Sequence, residues 1–351
     1  MSTERAYLDD PFRFEFDAEI SARVTLPDGR AGAILPRTFF FPTGGGQEHD
    51  TGALGEARVM DVLIDDDGIV VHIVDRAIPD ARVRATIDRA RRFAFMQHHS
   101  AQHLLSQAIL DALGIESVSA NINIDNPSTI DLAPSACGDV DLTPGENLAN
   151  VLIYEDRPIK SYWISDAQIA TVPFRVPPKV SGQIRVVEIE GFDYSACGGT
   201  HCTRTGQIGV VKIVRTERRT EKLRVHFLAG QRALEYFQSV HSLATQIARQ
   251  FDTSCDALGE VIARQRDALR ATQKELEELK AERLTWEAQQ LVVNARACGS
   301  IKFIVASFRD RAPQELRALA LLLQNAPGVV ALLASYDSAK VSLAVACANE
   351  T

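Results

Sequence analysis

The sequence predicts an α+β protein in four parts: a small N-terminal β-barrel, a central α+β domain, a long antiparallel helical pair and a small C-terminal α/β segment. Three observations carry this reading. Period-two alternation broken by turn signals fills residues 1–90, and strands then mix with helices over 91–230. Apolar spacing of three and four takes over at 231–298, before a β-α-β-β pattern at 299–351. At 351 residues the chain exceeds one ordinary domain.

In the first part, "FRFEFDAEI" sets Phe12, Phe14 and Phe16 on one face and Arg13, Glu15 and Asp17 on the other. "VTLPDGRAGAIL" places a Pro-Asp-Gly turn between two short runs, and "RVMDVLIDDDGIVVHIV" reads as strand, turn, strand. Short strands at regular intervals suggest an antiparallel barrel. The second part opens on a helix over 87–113, with Phe95, Leu104, Leu105, Ala108 and Ile109 as its apolar residues and Gly114 as its stop. "SVSANINI" and "TIDLA" follow as strands, residues 145–170 as helix then strand, and "GQIGVVKIVRTERR" with "KLRVHFLAG" as a hairpin. "IRVVEIEGFDYSACGGTHC" is a strand that runs into a turn.

In the third part Phe237, Val240, Ala244, Ile247 and Phe251 step by three and four. "DTSCD" interrupts, and Thr253 or Ser254 can cap a new helix. Its seam runs through Leu258, Ile262, Gln265, Leu269, Thr272, Leu276, Leu279 and Arg283. An antiparallel pair is the natural reading, and a coiled coil that forms a homodimer is the alternative. The last part offers "IKFIVASF", the helix "APQELRALALLLQNA", "GVVALLAS" and "KVSLAVACA".

Hydrophobic residues make up 46% of the chain and charged residues 24%, a globular composition. No apolar run reaches the roughly 18 residues of a membrane span. The N-terminus is charged from its start, so no membrane partner and a cytoplasmic location are expected. The net charge of −8 argues against a chain coated in nucleic acid but permits local basic patches. Cys137, Cys197, Cys202, Cys255, Cys298 and Cys347 are scattered, which does not fit a disulfide framework.

The chemistry-bearing residues form two half-sites. His99 and His103 are four apart on the predicted helix, so both rings lie on one face and can share an ion. Ser100 stands where an HExxH motif carries its glutamate, and His98 points about 100° away. Cys197 and His201 are also four apart, around Gly198, Gly199 and Thr200, and the glycines are expected to let the chain turn tightly. Three imidazoles and a thiolate suit tetrahedral Zn²⁺. Cys202 falls off this spacing and reads as a packed thiol.

"HHSAQHLLS" and "CGGTHC" resemble the HxxxH and CxxxH signatures of alanyl-tRNA synthetase editing domains and of free-standing AlaX-type alanyl-tRNA editing proteins. "FFPTGGGQEHDTG" resembles the glycine-rich stretch in the N-terminal barrel of the long AlaX form, and "STIDL" and "TGQIGVVKI" fit the same pattern in the same order. The resemblance covers roughly residues 8–230 and makes 91–230 a zinc-dependent tRNA editing domain. It implies an aminoacyl-tRNA hydrolase that cleaves the ester of tRNA-Ala mischarged with serine, or with glycine. No ATP-binding or aminoacylation motif is recognisable, so editing in trans is expected. The related threonyl-type editing enzymes share the two signatures and remain an alternative. So does a non-catalytic zinc module that binds RNA or drives assembly. The synthetase-like C-terminal domain usually carries a glycine-rich run, and "VACANET" is reached without one, which puts its tRNA contact in doubt.

The expected site comprises His99, His103, Cys197 and His201 on one zinc ion, without a carboxylate base in either motif. For the serine hydroxyl, Ser117, Ser119, Asn121 and Asn123 share a strand face by alternation, Thr129 is a further candidate, and Ser119 is preferred. Gly44, Gly45 and Gly46 match neither a P-loop nor a dinucleotide fingerprint; they offer a phosphate cradle, or a bend that packs barrel on editing domain. Arg215, Arg218 and Arg219 lie in a stretch that also holds Arg204, Lys212, Lys222 and Arg224 against only Glu217 and Glu221. Arg82, Arg84, Arg89, Arg91 and Arg92 form a second cluster for phosphate contacts.

Overall fold

Most alternating segments of the first ninety residues form strands, but in "FRFEFDAEI" the strand begins only at Glu15. Phe12 lies in a turn and packs on the core of the central domain, while Phe16 packs on that of the N-terminal sheet, so the expected single face of Phe12, Phe14 and Phe16 does not form. The computed structural model describes residues 2–133, 140–179 and 181–348, so Cys137 lies outside the described residues. Two short strands, β1 (Glu4–Arg5) and β5 (Arg37–Thr38), pair in parallel. The main N-terminal sheet contains β2 (Glu15–Glu19), β3 (Ala22–Thr25), β4 (Ala31–Ile34), β6 (Gly52–Leu54), β7 (Ala57–Ile64), β8 (Val70–Val74) and β9 (Arg82–Ile87). Their order is β2-β9-β6-β7-β8-β4-β3, antiparallel throughout. The two end strands are consecutive in the chain and only Ile20 and Ser21 separate them. So short a link spans at most about 10 Å, and the sheet must curl until its edges approach. Leu35, Phe40, Leu54, Val62, Val70 and Ala85 fill its inside.

The second layer begins with α1 (Arg89–Leu113). Asp88 caps it by accepting Arg91 N–H, and Gly114 ends it at φ +69°. This helix packs on a four-stranded sheet of β10 (Ser117–Asn121), β11 (Ser128–Leu132), β16 (Lys222–Ala229) and β15 (Val211–Arg219), in that order. Met96, Leu104, Leu105, Ala108 and Ile109 of the helix meet Ile130, Leu132, Val225 and Phe227 of the sheet in one core. The helix α2 (Thr143–Tyr154) adds Ala149, Leu152 and Ile153 to this core. A three-stranded sheet orders β12 (Ile159–Ser165), β13 (Gln183–Ile189) and β14 (Asp193–Ala196).

The chain divides into two compact units, Met1–Ser242 and Leu243–Thr351. The helix α3 (Gly230–Gln250) runs across the division, and α4 (Leu258–Val293) belongs to the second unit. Ser254 accepts the Ala257 N–H, but it caps a turn, and the helix proper begins at Leu258. Ile262, Leu269, Leu276 and Leu279 on α4 are 46% to 58% exposed. The second unit closes with β17 (Arg296–Cys298), β18 (Ile301–Arg309), α5 (Pro313–Gln324), β19 (Val329–Tyr336) and β20 (Val341–Cys347). One more short strand, β17, thus precedes the expected β-α-β-β order. Leu316, Leu319 and Leu323 of α5 cover Ile304, Ala331 and Leu333 of its sheet. Among the described residues, no helix is long and apolar enough to cross a membrane.

Candidate metal centre

Two elements of the first unit bring the half-sites together. The helix α1 presents His99 and His103 one turn apart, with stacked rings whose centroids are 5.2 Å apart. The turn that follows β14 carries Cys197 and His201, and the His201 ring lies 4.3 Å from that of His99 and 5.0 Å from that of His103. One ligand atom from each of the four residues falls within 4.8 Å of all the others. Cys197 Sγ is 3.3 Å from both His99 Nε2 and His201 Nε2. Ligands at zinc bond lengths of about 2.0–2.3 Å around a tetrahedral ion stand about 3.3–3.6 Å apart, so the two Cys197 pairs already have that spacing. Both His103 nitrogens are buried without a hydrogen-bond partner, a costly arrangement that an ion on one of them would relieve, with Asp193 facing the other.

Around the four donors lies a polar shell. Asp193 is 1% exposed, and its Oδ2 sits 3.4 Å from His103 Nδ1, off the hydrogen-bond line. Arg175 Nε at 2.9 Å and Ser195 Oγ at 2.9 Å hold the carboxylate in place. Burial would raise the Asp193 carboxyl, but His103 and Arg175 outweigh it and keep it below its ordinary value. Burial likewise opposes charging His103, yet Asp193 and Cys197 push it up to about 9. Burial, with the charge of His99, drives His201 down to about 3. For Cys197 burial alone would raise the thiol; His99 and His201 overcome it and hold the group well below its usual range, as a thiolate. Arg185, 6% exposed, donates to the carbonyls of Cys197 at 2.9 Å and Gly199 at 3.0 Å, which clamps the turn and adds positive charge beside the sulfur.

The glycines of this turn act differently from the sequence expectation. Neither Gly198 nor Gly199 has a positive φ, so a tight turn is not what requires them. A Cβ at Gly199 would collide with the His99 ring, while one at Gly198 would meet open space. Gly199 therefore makes room for a ligand. In the other glycine run Gly45 and Gly46 do have positive φ, +58° and +81°. They are the central pair of a two-residue turn closed by the reciprocal Gly44–Gln47 backbone bonds of 2.9 and 3.0 Å. Gly46 O accepts Ile122 N–H at 2.7 Å, so the run packs the N-terminal sheet onto the central domain.

The remaining expected residues lie elsewhere. Ser119 donates to Asp131 Oδ2 at 2.9 Å rather than to a metal ligand, and Asn121 pairs with Thr129 across β10 and β11. All three sit on the sheet face opposite the core, with Asp131 and Arg224. The shared face expected for Ser117 through Asn123 fails at both ends. A register shift between Ser117 and Ser119 breaks the alternation, and Asn123 leaves the strand to cap a turn through the N–H groups of Asp125 and Asn126. His98 is buried and its Nε2 accepts Ala229 N–H, away from the ligands. Cys202 is 2% exposed in the core and burial pushes it up to about 12.

The basic clusters also change character. Arg204, Lys212, Arg219, Lys222 and Arg224 each have a carboxylate within 4 Å, from Asp156, Glu146, Glu217, Asp131 and Asp131. Three of these four acids lie outside the basic stretch, so the local surplus shrinks. In the second cluster Arg92 is fully buried against Asp50, Arg91 pairs with Glu48, and Arg84 pairs with Glu15 and Asp17. Arg91 and Arg92 are thus scaffold, whereas the Arg84 pairs are exposed and weakly held. Sequence reasoning missed Gln47, Asp193 and Arg185. A charged Asp193 in the buried phase of β14, alternating with exposed Ala196, was the available signal.

The profile described as the threonyl and alanyl tRNA synthetase second additional domain matches residues 184–225. The alanine–tRNA ligase of Methanopyrus kandleri is 36% identical over 253 residues, 66% of this chain and 27% of that protein. That of Archaeoglobus fulgidus is 33% identical over 356 residues, 96% of this chain and 38% of that protein. That of Thermofilum pendens is 34% identical over 301 residues, 80% and 32% of the two. The chain thus spans roughly a third of the curated relatives it matches. Together with the site geometry, these matches identify the chain as one that carries an AlaX-type editing domain related to that of alanyl-tRNA synthetase.

Proposed function

We propose that this protein is a trans-editing aminoacyl-tRNA deacylase that hydrolyses the ester of tRNA-Ala mischarged with serine or glycine. It would serve translation fidelity in the cytoplasm, alongside the ligases its relatives are named for. One observation carries the reading: three imidazoles and a thiolate converge within 4.8 Å, and one imidazole has two buried nitrogens without partners. His99, His103, Cys197 and His201 would hold one zinc ion per chain. When bound there, zinc would supply Lewis acidity toward an ester carbonyl or a hydroxide-like water.

The chain's own groups prepare the centre. Asp193 faces His103 Nδ1 and so favours a proton there, leaving Nε2 for the metal. Arg175 and Ser195 keep that carboxylate ionised and oriented. Arg215, Arg218 and Arg219 offer cations for tRNA phosphates. Ser119, Asn121 and Thr129, on the same outward sheet face as Arg215 and Arg219, would offer their polar atoms to the substrate there and not beside the metal. The layout proposed is a β-domain at 1–90, the editing domain at 91–230, a helical region at 231–298 and a small α/β domain at 299–351. The exposed leucines of α4 suit a homodimer through the C-terminal helices better than a pair closed within one chain.

Deacylation of Ser-tRNA-Ala, Gly-tRNA-Ala and Thr-tRNA-Thr tests the reading. Hydrolysis of the first two supports it, and hydrolysis of the third alone makes the enzyme threonyl-type. No hydrolysis of any makes the metal structural. His103→Ala and Cys197→Ala should lose both zinc and activity; full zinc and full activity in both would remove the centre from the mechanism.

A further inference from the structure

The glycine-rich run ends in a residue that neither a bend nor a phosphate cradle explains. Gln47 is 1% exposed. Its Oε1 lies 2.8 Å from His99 Nδ1 and 3.3 Å from Thr200 N, and its Nε2 lies 3.0 Å from Thr200 Oγ1. A backbone N–H can only donate, so the atom facing Thr200 N must be the amide oxygen. The same oxygen then requires His99 Nδ1 to carry the proton. That leaves His99 Nε2 with its lone pair, and Nε2 is the atom 3.3 Å from Cys197 Sγ.

The amide also joins the two half-sites, since His99 stands on α1 and Thr200 stands between Cys197 and His201. Its own position is held rigidly. The Gly45–Gly46 turn fixes the backbone before it, and Gly46 has no room for a Cβ, which would lie 2.9 Å from Ala120 O. Beyond it, Asp50 is bound to Arg92 of α1. The segment is therefore fastened to the same helix that carries His99.

We propose that Gln47 is a positioning residue of the metal centre. It fixes the tautomer of His99 and ties the α1 ligands to the Cys197–His201 turn, so the N-terminal domain completes the site. This rests on the reading of the four ligands as a zinc centre, and the test separates the two. Zinc affinity is measured by chelator competition, and the ligand-field spectrum is recorded on the cobalt-loaded protein, for the native protein, Cys197→Ala, Gln47→Met and Gln47→Glu. If the native protein binds no zinc, the centre itself fails and the inference with it.

If the native protein binds zinc and Cys197→Ala binds it poorly, Gln47→Met is expected to lose about 10- to 100-fold in affinity. Its cobalt spectrum should shift as well. Gln47→Glu should stay close to the native protein in both readouts, because its oxygens can accept from His99 Nδ1 and from the Thr200 hydroxyl. Native-like affinity and spectrum in Gln47→Met overturn the proposal. A Gln47→Glu protein as weak as Gln47→Met overturns it too, since the acceptor would then be irrelevant. Should Gln47→Met not fold, Gln47→Asn, whose amide falls short of His99, carries the same expectation.

Discussion

At the scale of single residues, the metal centre is a problem of space and of protons. Gly199 settles the space, because the His99 ring occupies the volume its Cβ would need. Gly199→Ala should therefore displace His99 or the turn. Overpacking of this kind costs about 1–3 kcal/mol. A lowered melting temperature together with lost zinc is the expected outcome, whereas Gly198→Ala should be close to neutral in metal analysis. The proton question concerns His103. Without metal its pKa is raised to about 9. The His103 charge thus stabilises the metal-free fold fully below its ordinary value of 6.5, and this contribution fades as pH rises through about 9. Zinc needs the neutral ring, so it must displace that proton anywhere below about pH 9. His201 is driven down to about 3 and Cys197 is held well below its usual range by the charges of His99 and His201, so the His103 proton is the one zinc has to displace. Affinity should rise about one log unit per pH unit from pH 7 to 9 and then level off. A chelator competition series across that range checks it, and a flat profile would refute the assignment of the proton to His103.

At the scale of elements, the buried Arg92–Asp50 pair joins α1 to the end of the glycine-rich segment. Arg92 Nη1 also donates to Pro11 O at 2.7 Å, and Asp50 accepts Phe41 N–H at 2.6 Å. Both side chains are fully buried. Asp50→Asn leaves a buried cation without its counter-charge, which costs about 3–5 kcal/mol. Urea unfolding of the metal-free protein should show it, and a change within 1 kcal/mol would mean that water reaches the site. Elements of this kind explain what the sequence could and could not disclose. Strands and helices were legible because their apolar periodicities of two and of three to four survive in the linear order. The four ligands were legible because each pair sits four residues apart on one element. Gln47 and Arg185 reach the centre from other elements and no local spacing marks them, whereas Asp193, on β14 four residues before Cys197, carried a signal. Arg91 and Arg92 in the first turn of α1 misled for the same reason, since their acids, Glu48 and Asp50, come from a loop about forty residues upstream.

At the scale of the whole molecule, tRNA binding must be reconciled with a net charge of −8. Five cations of the 204–224 stretch already have carboxylates within 4 Å. Not all of these pairs resist a phosphate. Arg204–Asp156 and Arg219–Glu217 are each between 39% and 51% exposed, and pairs of that kind are held by about 0–1 kcal/mol. Arg224 is different, because it meets a 7%-exposed Asp131 through two bonds, at 2.6 and 2.9 Å. Phosphate contacts should therefore come from a few exposed cations, Arg215 and Arg219 among them, and not from the whole basic stretch. Each contact contributes roughly −0.7 to −0.9 to the slope of log affinity against log salt. The KM for deacylation of mischarged tRNA-Ala, measured between 50 and 200 mM salt, should give a slope of log(1/KM) against log salt of about −2 to −3. Arg215→Ala and Arg219→Ala should each weaken binding and flatten the slope by nearly one contact, with kcat unchanged. Arg224→Ala should instead lower stability, because it strands the Asp131 carboxylate that also receives the Ser119 hydroxyl. A slope near zero, or one that Arg215→Ala and Arg219→Ala leave intact, would move the tRNA surface away from β15.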